Sequence, residues 1–264
     1  MIAIGSTLTR FAALLLLSAL ALQLYFVARV ALMIVVDPQS TSFQRSEAWR
    51  LAVDKHAVLW SQEWRPYARL GEPLKRAVIA SEDARFADHT GVEWDALEAA
   101  WERNQRAEAR ADKANEQALR RAGGSAARAA TPERAKPAPA QAKVVGGSTI
   151  TQQLAKNLFL SGERHVVRKG QEFVITLMLE GLLSKRRILE IYLNNVEWGE
   201  GLFGARAAAW HYFRVDPDRL STLQAARLAV MLPAPKRFEK RPSSPYVLDR
   251  AATVAARMGA VELP

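Results

Sequence analysis

The sequence predicts an all-α protein carrying one membrane-spanning helix at its N-terminus. Three observations lead there. Apolar residues recur at helical spacing along most of the chain, with no strand alternation to compete. Capping-box patterns or a proline at the first helical position precede several of these stretches. Phe11 to Ala28 is eighteen residues without a charge. The chain has 264 residues, 49% of them hydrophobic, enough for one sizeable domain or two small lobes with a core.

The apolar run is the first element. At about 1.5 Å per residue, eighteen residues span roughly 27 Å, close to a hydrocarbon core of about 30 Å, and Arg29 can snorkel to extend it to Val36. Residues 1–36 are therefore read as a retained anchor. A cleaved signal peptide is the rival, but its apolar part should be only about 7 to 15 residues long. Arg10 before the run and Arg45 and Arg50 after it leave the orientation open.

Residues 37–71 read as a juxtamembrane or jaw segment, polar to Gln44 and helical from Ser46. Trp60, Trp64 and Tyr67 fall at i, i+4, i+7, one face of a helix, read either as core or as an aromatic belt at the membrane. Residues 72–264 form the main domain. Its first helix starts at Glu72-Pro73 and runs through Phe86, with His89 and Gly91 closing it. Glu82 and Phe86 are then one turn apart, and partial burial beside the ring would raise the Glu82 pKa and make it a better base; a solvated Glu82-Asp83 pair is the plain alternative.

A helical pattern resumes over Val92 to Asn104. Arg103 to Lys143 differs in kind: its 41 residues include 14 alanines, ten basic and four acidic residues, one leucine and no aromatic. It cannot build a core, so it is read as an insertion whose first part, to about Ala122, extends the preceding helix and whose remainder is linker. Later helices are expected over Phe173–Leu183, Arg187–Val196, Gly204–Phe213, Thr222–Leu232 and from Ser244-Pro245 to about Met258.

Between them lies Gly146 to Glu172. Thr149 with Gln152 forms a capping-box pattern at a helix start, where free N–H groups and the helix dipole favour an anion, and Lys156 lies one turn beyond Gln152. After a break at Ser161-Gly162, a second helix sets Arg168, Lys169 and Glu172 on one face. Either pattern can also be purely structural.

The net charge of +10 implies an acidic partner, and nucleic acid, anionic lipid and pyrophosphate all qualify. More than half of that charge sits in residues 103–143, and no nucleic-acid motif appears, so no nucleic acid is expected as partner. With no cysteine, disulfides, thiol catalysis and cysteine-ligated zinc are excluded, and the four histidines show no metal-ligand spacing.

Read together, five ordered motifs resemble the family 51 glycosyltransferases, the peptidoglycan polymerases. They are IASEDARFADHTG (Ile79 to Gly91), GGSTITQQLAKNLFL (Gly146 to Leu160), RKGQE (Arg168 to Glu172), KRRILEIYLNNVEWGEGLFGARAAAWHYF (Lys185 to Phe213) and LSTLQAARLAVMLPAPKRF (Leu220 to Phe238). The resemblance covers about Leu74 to Arg257, and its expected counterpart is the monofunctional membrane-anchored type without a transpeptidase domain.

The resemblance implies a lysozyme-like, two-lobed fold of head and jaw, with the jaw dipping into the membrane. It implies lipid II and a growing lipid-linked glycan as substrates, joined by β-1,4 bonds with release of undecaprenyl pyrophosphate. Glu82 and Glu172 would be catalytic, Glu82 as the base. Asp83, Ser148, Thr149, Gln152, Gln153, Lys156, Asn157, Arg168 and Lys169 would bind substrate. No metal ligand is assigned and no cofactor is required, though a divalent cation, Mg2+ or Mn2+, has room at the pyrophosphate. The expected place is the inner (cytoplasmic) membrane, single-pass, with the catalytic domain in the periplasm and other cell-wall synthesis proteins as partners. A pyrophosphate leaves without a strong acid once its charge is balanced, so one base and several cations suffice, whereas a glycosidase needs a second carboxylate.

Three positions depart from the family pattern: residues 103–143 are longer than expected, Gln224 stands where Glu is usual, and Phe213 is followed by Arg214 rather than Gly or a small polar residue. Two rivals remain at this point, a lysozyme-type lytic glycosidase acting on peptidoglycan and a non-enzymatic membrane scaffold.

Overall fold

The computed structural model describes residues 2–125, 147–160 and 166–264. By compactness the chain divides into two units, residues 1–91 with 149–264, and residues 92–148. The first unit holds α1 (Ile2–Leu32), α2 (Ser42–Lys55), β1 (Ser61–Gln62) and α3 (Glu72–Glu82); the second holds α4 (Trp94–Ser125). The first unit resumes with α5 (Ile150–Phe159), α6 (Val166–Leu182), α7 (Lys185–Asn195), β2 (Glu197–Gly199), β3 (Leu202–Phe203) and α8 (Gly204–Phe213). It ends with α9 (Thr222–Met231), α10 (Pro235–Phe238) and α11 (Pro245–Arg257). Helix dominates, as the periodicity predicts.

Residues Thr9–Leu32 of α1 are long and apolar enough to cross a membrane. The C-terminal third of the helix is also part of the folded unit: Phe26, Val30 and Met33 are buried in the core cluster, and the Phe26 ring meets Phe159 of α5 edge-on at 5.3 Å. On the α6 side, Gln23 and Gln171 exchange amide hydrogen bonds of 2.9 and 3.0 Å. Arg187 of α7 closes the end of α1, donating to the Met33 carbonyl at 2.8 Å and the Val36 carbonyl at 3.2 Å. The turn after α1 takes the Val30, Ala31 and Leu32 carbonyls, and the guanidinium satisfies the two carbonyls of that turn, Met33 and Val36.

Beyond the anchor, α3 packs against α9 and α11, α5 lies on α6 and α7, and α2 lies on α5. The wholly buried side chains include Phe86, Ile150, Leu154, Ile175, Tyr192, Trp198 and Phe203. Among the described residues three helix starts carry complete capping boxes, at Thr41/Gln44, Thr149/Gln152 and Ser221/Gln224. The first moves the start of α2 forward from the expected Ser46 to Ser42. In the third, Gln224 serves in place of the usual glutamate, since either side chain can reach back to the N-cap N–H. Arg214 ends α8 in the left-handed conformation at φ 59°, the backbone state that makes Gly the common residue there.

Two expectations are corrected. Short strands exist, in the order β1-β3-β2, with β1 parallel and β2 antiparallel to β3; runs of two or three residues are too short to show a period of two. Trp60, Trp64 and Tyr67 do not share a helical face, because Pro66 keeps Arg65 extended and the chain reaches a 3-10 turn only at Tyr67. They pack separately, Trp60 stacked on Phe203 at 4.5 Å and Trp64 under Arg187. Residues 37–71, the expected juxtamembrane or jaw segment, belong to the first unit, where Arg65 N donates to Asn194 Oδ1 at 2.8 Å and Tyr67 N to Glu190 Oε1 at 2.7 Å.

In the second unit α4 runs on through Gly123 and Gly124 to Ser125, so the first part of the basic insertion does extend the preceding helix. The expected linker beyond it lies outside the described residues.

Candidate active site

Glu82 is the last residue of α3, four residues earlier than the sequence places the helix end. Asp83 breaks the helix at φ −163°, so Glu82 and Phe86 are not stacked one turn apart; Phe86 turns into the core under the Lys185 ammonium, 4.5 Å from its ring. The Glu82 carboxyl is half-buried and takes a 3.0 Å bond from Gln153 Nε2 of α5 and a 3.3 Å bond from Ser81 Oγ. Burial pushes its pKa above the ordinary 4.5, and the Asp83 charge adds to this, while the two hydrogen bonds pull the other way. The C-terminal end of a helix dipole also disfavours the anion. These are the properties of a general base.

Behind Gln153 stands Tyr192 of α7, whose hydroxyl donates to Gln153 Oε1 at 2.9 Å. An amide oxygen held this way leaves the NH2 facing Glu82. Burial, with the Glu82 and Asp83 charges, raises the Tyr192 pKa well above 10, so its hydroxyl stays protonated and keeps donating.

Asp83 is oriented inward. Its Oδ2 accepts from Ile150 N at 3.0 Å, at the first turn of α5, and its Oδ1 lies 2.8 Å from His89 Nε2. Because His89 Nδ1 accepts from Gly91 N at 3.1 Å, the proton is assigned to Nε2, which donates to Asp83. Gly91, at φ +86°, makes the close approach possible: a Cβ there would come within 2.7 Å of Thr176 and 2.8 Å of Glu180. Its carbonyl takes the Thr149 hydroxyl at 2.6 Å. The helix start expected to receive a phosphate therefore receives the protein's own carboxylate and Thr149 hydroxyl. Asp83, Thr149 and Gln152 are buried; Asp83 is bound to Ile150 N and His89, and Thr149 and Gln152 to each other's backbone. An internal carboxylate satisfies the Ile150 N–H without the loss of translational freedom that a ligand would bring.

Glu172 of α6 is only 3% exposed and bonds Arg168 NH1 at 3.1 Å with one oxygen and Lys169 Nζ with the other. Thr176 Oγ1 donates back to the Glu172 carbonyl at 2.8 Å. Lys169 is half exposed, so its ammonium is available to an anion while the carboxylate holds it in place. On α5 the exposed Lys156 stands one turn beyond Gln153, with Asn157 half-buried beside it. Thus α5 presents Gln153 and Lys156 along one edge, and α6, packed against α5, presents the Arg168, Lys169, Glu172 group. Ser148 belongs to the second unit, and Gly146 and the Ser161-Gly162 break lie outside the described residues.

Sequence reasoning missed Tyr192, His89 as the Asp83 partner, and the Gln23–Gln171 pair. The motifs quoted contain Tyr192 and His89, but nothing in their spacing tells that they meet Gln153 and Asp83. A glutamine inside an uncharged run was the available signal for Gln23, since a buried amide needs a partner.

A family model described as Transglycosylase matches residues 54–126 and 125–259. A biosynthetic peptidoglycan transglycosylase of Burkholderia thailandensis is 51% identical over 246 residues, covering 93% of this chain and 83% of the relative. Proteins of the same description from Burkholderia pseudomallei and Paraburkholderia xenovorans are 50% and 47% identical, each over 93% of this chain and over 83% and 88% of their own lengths.

Proposed function

The chain belongs to the transglycosylase family, and on that premise we propose that it polymerises lipid II with Glu82 as the general base. It is a peptidoglycan glycosyltransferase of cell-wall synthesis, of the all-α, lysozyme-like fold. In the proposed step Glu82 takes the proton of the acceptor sugar hydroxyl. That oxygen forms the β-1,4 bond to the anomeric carbon of the growing lipid-linked glycan. The carbon–oxygen bond to pyrophosphate breaks, and undecaprenyl pyrophosphate leaves with the electron pair. Lys156, Arg168 and Lys169 balance its charge, and Glu172 orients the last two.

The observation that carries this reading is the pairing of a half-buried Glu82 of raised pKa with a neighbouring carboxylate, Asp83, whose two oxygens are already committed. A lytic glycosidase needs a second carboxylate free to act on water or sugar, and Asp83 cannot serve. The Asp83 and Glu172 carboxylates are turned to protein donors, and an Mg2+ or Mn2+ ion, if recruited, would add positive charge for the departing pyrophosphate. Product analysis tests the function: the enzyme with lipid II in detergent should yield polymer, and Glu82→Gln should yield at least about 100-fold less in the same time. Shortening of preformed glycan without polymer would overturn the assignment.

The same reading places α1 across the cytoplasmic (inner) membrane, the catalytic unit in the periplasm and the apolar face of α6 against lipid. A reporter fused after Pro264 should be active only in the periplasm. Contacts with other cell-wall synthesis proteins belong to this reading, and cross-linking in cells tests them.

A further inference from the structure

A cavity of about 400 Å³ opens beside the C-terminal end of α1, lined by the apolar Ile34, Leu182 and Leu183 and by the polar Ser184, Arg186, Arg187 and Glu190. We propose that this cavity seats the headgroup of an anionic glycerophospholipid, with Arg186 on its phosphate and its acyl chains along α1 and α6. The proposal rests on the reading of α1 as membrane-spanning.

Two apolar surfaces end here together. At the end of α1 and in the turn after it, Leu32, Ile34, Val35 and Val36 are exposed. On α6, which packs along α1, Val167, Val174, Leu177 and Leu182 are exposed at helical spacing, and the stripe stops at Leu182. Directly after it come Ser184, Lys185, Arg186 and Arg187. An apolar band that gives way to basic residues is the pattern of a membrane interface, so the cavity lies at headgroup depth.

Charge selects the occupant. Lys185 is paired with Glu180 at 2.9 Å, Glu72 with Arg76 at 2.8 Å, and Asp37 and Glu190 turn to Arg187 at 2.7 Å each. Arg186 is exposed and makes no ion pair among the described residues; its guanidinium lies 4.5 Å over the Tyr67 ring, whose other cation neighbour is the buried Lys75, at 4.1 Å. Stacking orients a guanidinium while leaving its N–H edges to donate to a phosphate. A zwitterionic lipid would bring its own ammonium among these cations, which disfavours it.

The full chain in nanodiscs of equal phosphatidylglycerol and phosphatidylcholine, followed by mass spectrometry of lipid retained on detergent extraction, tests this. Phosphatidylglycerol should be enriched about fivefold, the factor for about 1 kcal/mol per basic residue at such a surface. Arg186→Gln should lose that enrichment, Arg186→Lys should keep part of it, and Arg250→Gln, a surface change on α11, should keep all of it. Ile34→Trp, which fills the cavity without altering charge, should also lose it, giving a second route should Arg186→Gln misfold. Equal retention of the two lipids by the unaltered chain, or enrichment that survives both Arg186→Gln and Ile34→Trp, would overturn the proposal alone. Failure of the chain to enter nanodiscs would overturn the membrane reading and the proposal with it.

Discussion

Gln153 Nε2 lies 3.0 Å from Glu82 Oε2 while the Tyr192 hydroxyl holds Gln153 Oε1 at 2.9 Å, so a buried phenol fixes which way an amide faces the proposed base. The amide bond to Glu82 favours the carboxylate against a burial that disfavours it. A base works deprotonated, so activity falls as pH drops through the raised Glu82 pKa. The acid limb of kcat/KM should lie above pH 4.5. Gln153→Ala removes the bond that lowers this pKa and should move the limb to higher pH. Tyr192→Phe frees the amide to rotate and should move it less, in the same direction. An unshifted limb in both variants would exclude this positioning role.

The two glutamates should separate kinetically. Glu82→Gln should lower turnover by about 100-fold to 10,000-fold and leave affinity for a non-reactive phosphoglycolipid donor analogue intact. Lys156→Ala and Lys169→Ala should weaken that affinity, each by a charge-assisted bond worth roughly 1.5 to 3 kcal/mol. Glu172→Gln leaves Arg168 and Lys169 without their shared carboxylate and should fall between the two patterns. Titration of each variant with the analogue decides it; loss of analogue affinity in Glu82→Gln alone would reverse the assignments.

The Gln23–Gln171 pair ties the anchor to the helix bearing Glu172, one residue on. Replacing either glutamine by Leu leaves the other amide unpaired in apolar surroundings, whereas replacing both removes the need. The double variant should therefore be more stable than either single one, with a coupling of about 0.6 to 1.7 kcal/mol as for polar pairs between membrane helices. Thermal unfolding in lipid nanodiscs measures it, and strictly additive single effects would show that the pair contributes nothing.

Away from the active site, Glu197 of β2 is 7% exposed, and its Oε1 lacks a hydrogen-bond partner among the described residues. Lys236 approaches it at 3.5 Å but sits closer to Glu47, at 2.6 Å. Burial is the largest cause raising the Glu197 pKa from 4.5 to about 7; Lys236 opposes this, and the Glu47 and Glu239 charges add to it. The folded state thus holds this proton more tightly than the unfolded one. Its contribution to stability is intact below pH 4.5, is lost as pH rises towards 7, and above that amounts to a cost of roughly 3 kcal/mol. Glu197→Gln should accordingly raise Tm at pH 8 more than at pH 5. An equal rise at both would show that the carboxyl is not protonated on folding.

What the sequence determined by itself was set by local and periodic forces. The apolar run fixes α1 as a helix able to cross a membrane, because eighteen uncharged residues have no polar face to turn to water. Thr149 with Gln152 starts α5 where expected, because a capping box is closed within four residues. The Arg168, Lys169 and Glu172 group is legible from spacing alone, since i,i+3 and i,i+4 neighbours on a helix must meet. The motifs also marked Glu82.

Only the tertiary structure decided what crosses between elements. Asp83 leaves α3 to take Ile150 N, which ends that helix early and occupies the seat expected for phosphate; sixty-seven residues separate the pair. Tyr192 reaches Gln153, Arg187 reaches the end of α1, and Gln23 reaches Gln171 over separations of 39, 154 and 148 residues. The physical reason is common to all four. A buried carboxylate, phenol, guanidinium or amide must find its hydrogen-bond partner, but any of several residues could supply it, and the choice falls to whichever one the packing of α5, α6 and α7 brings within about 3 Å.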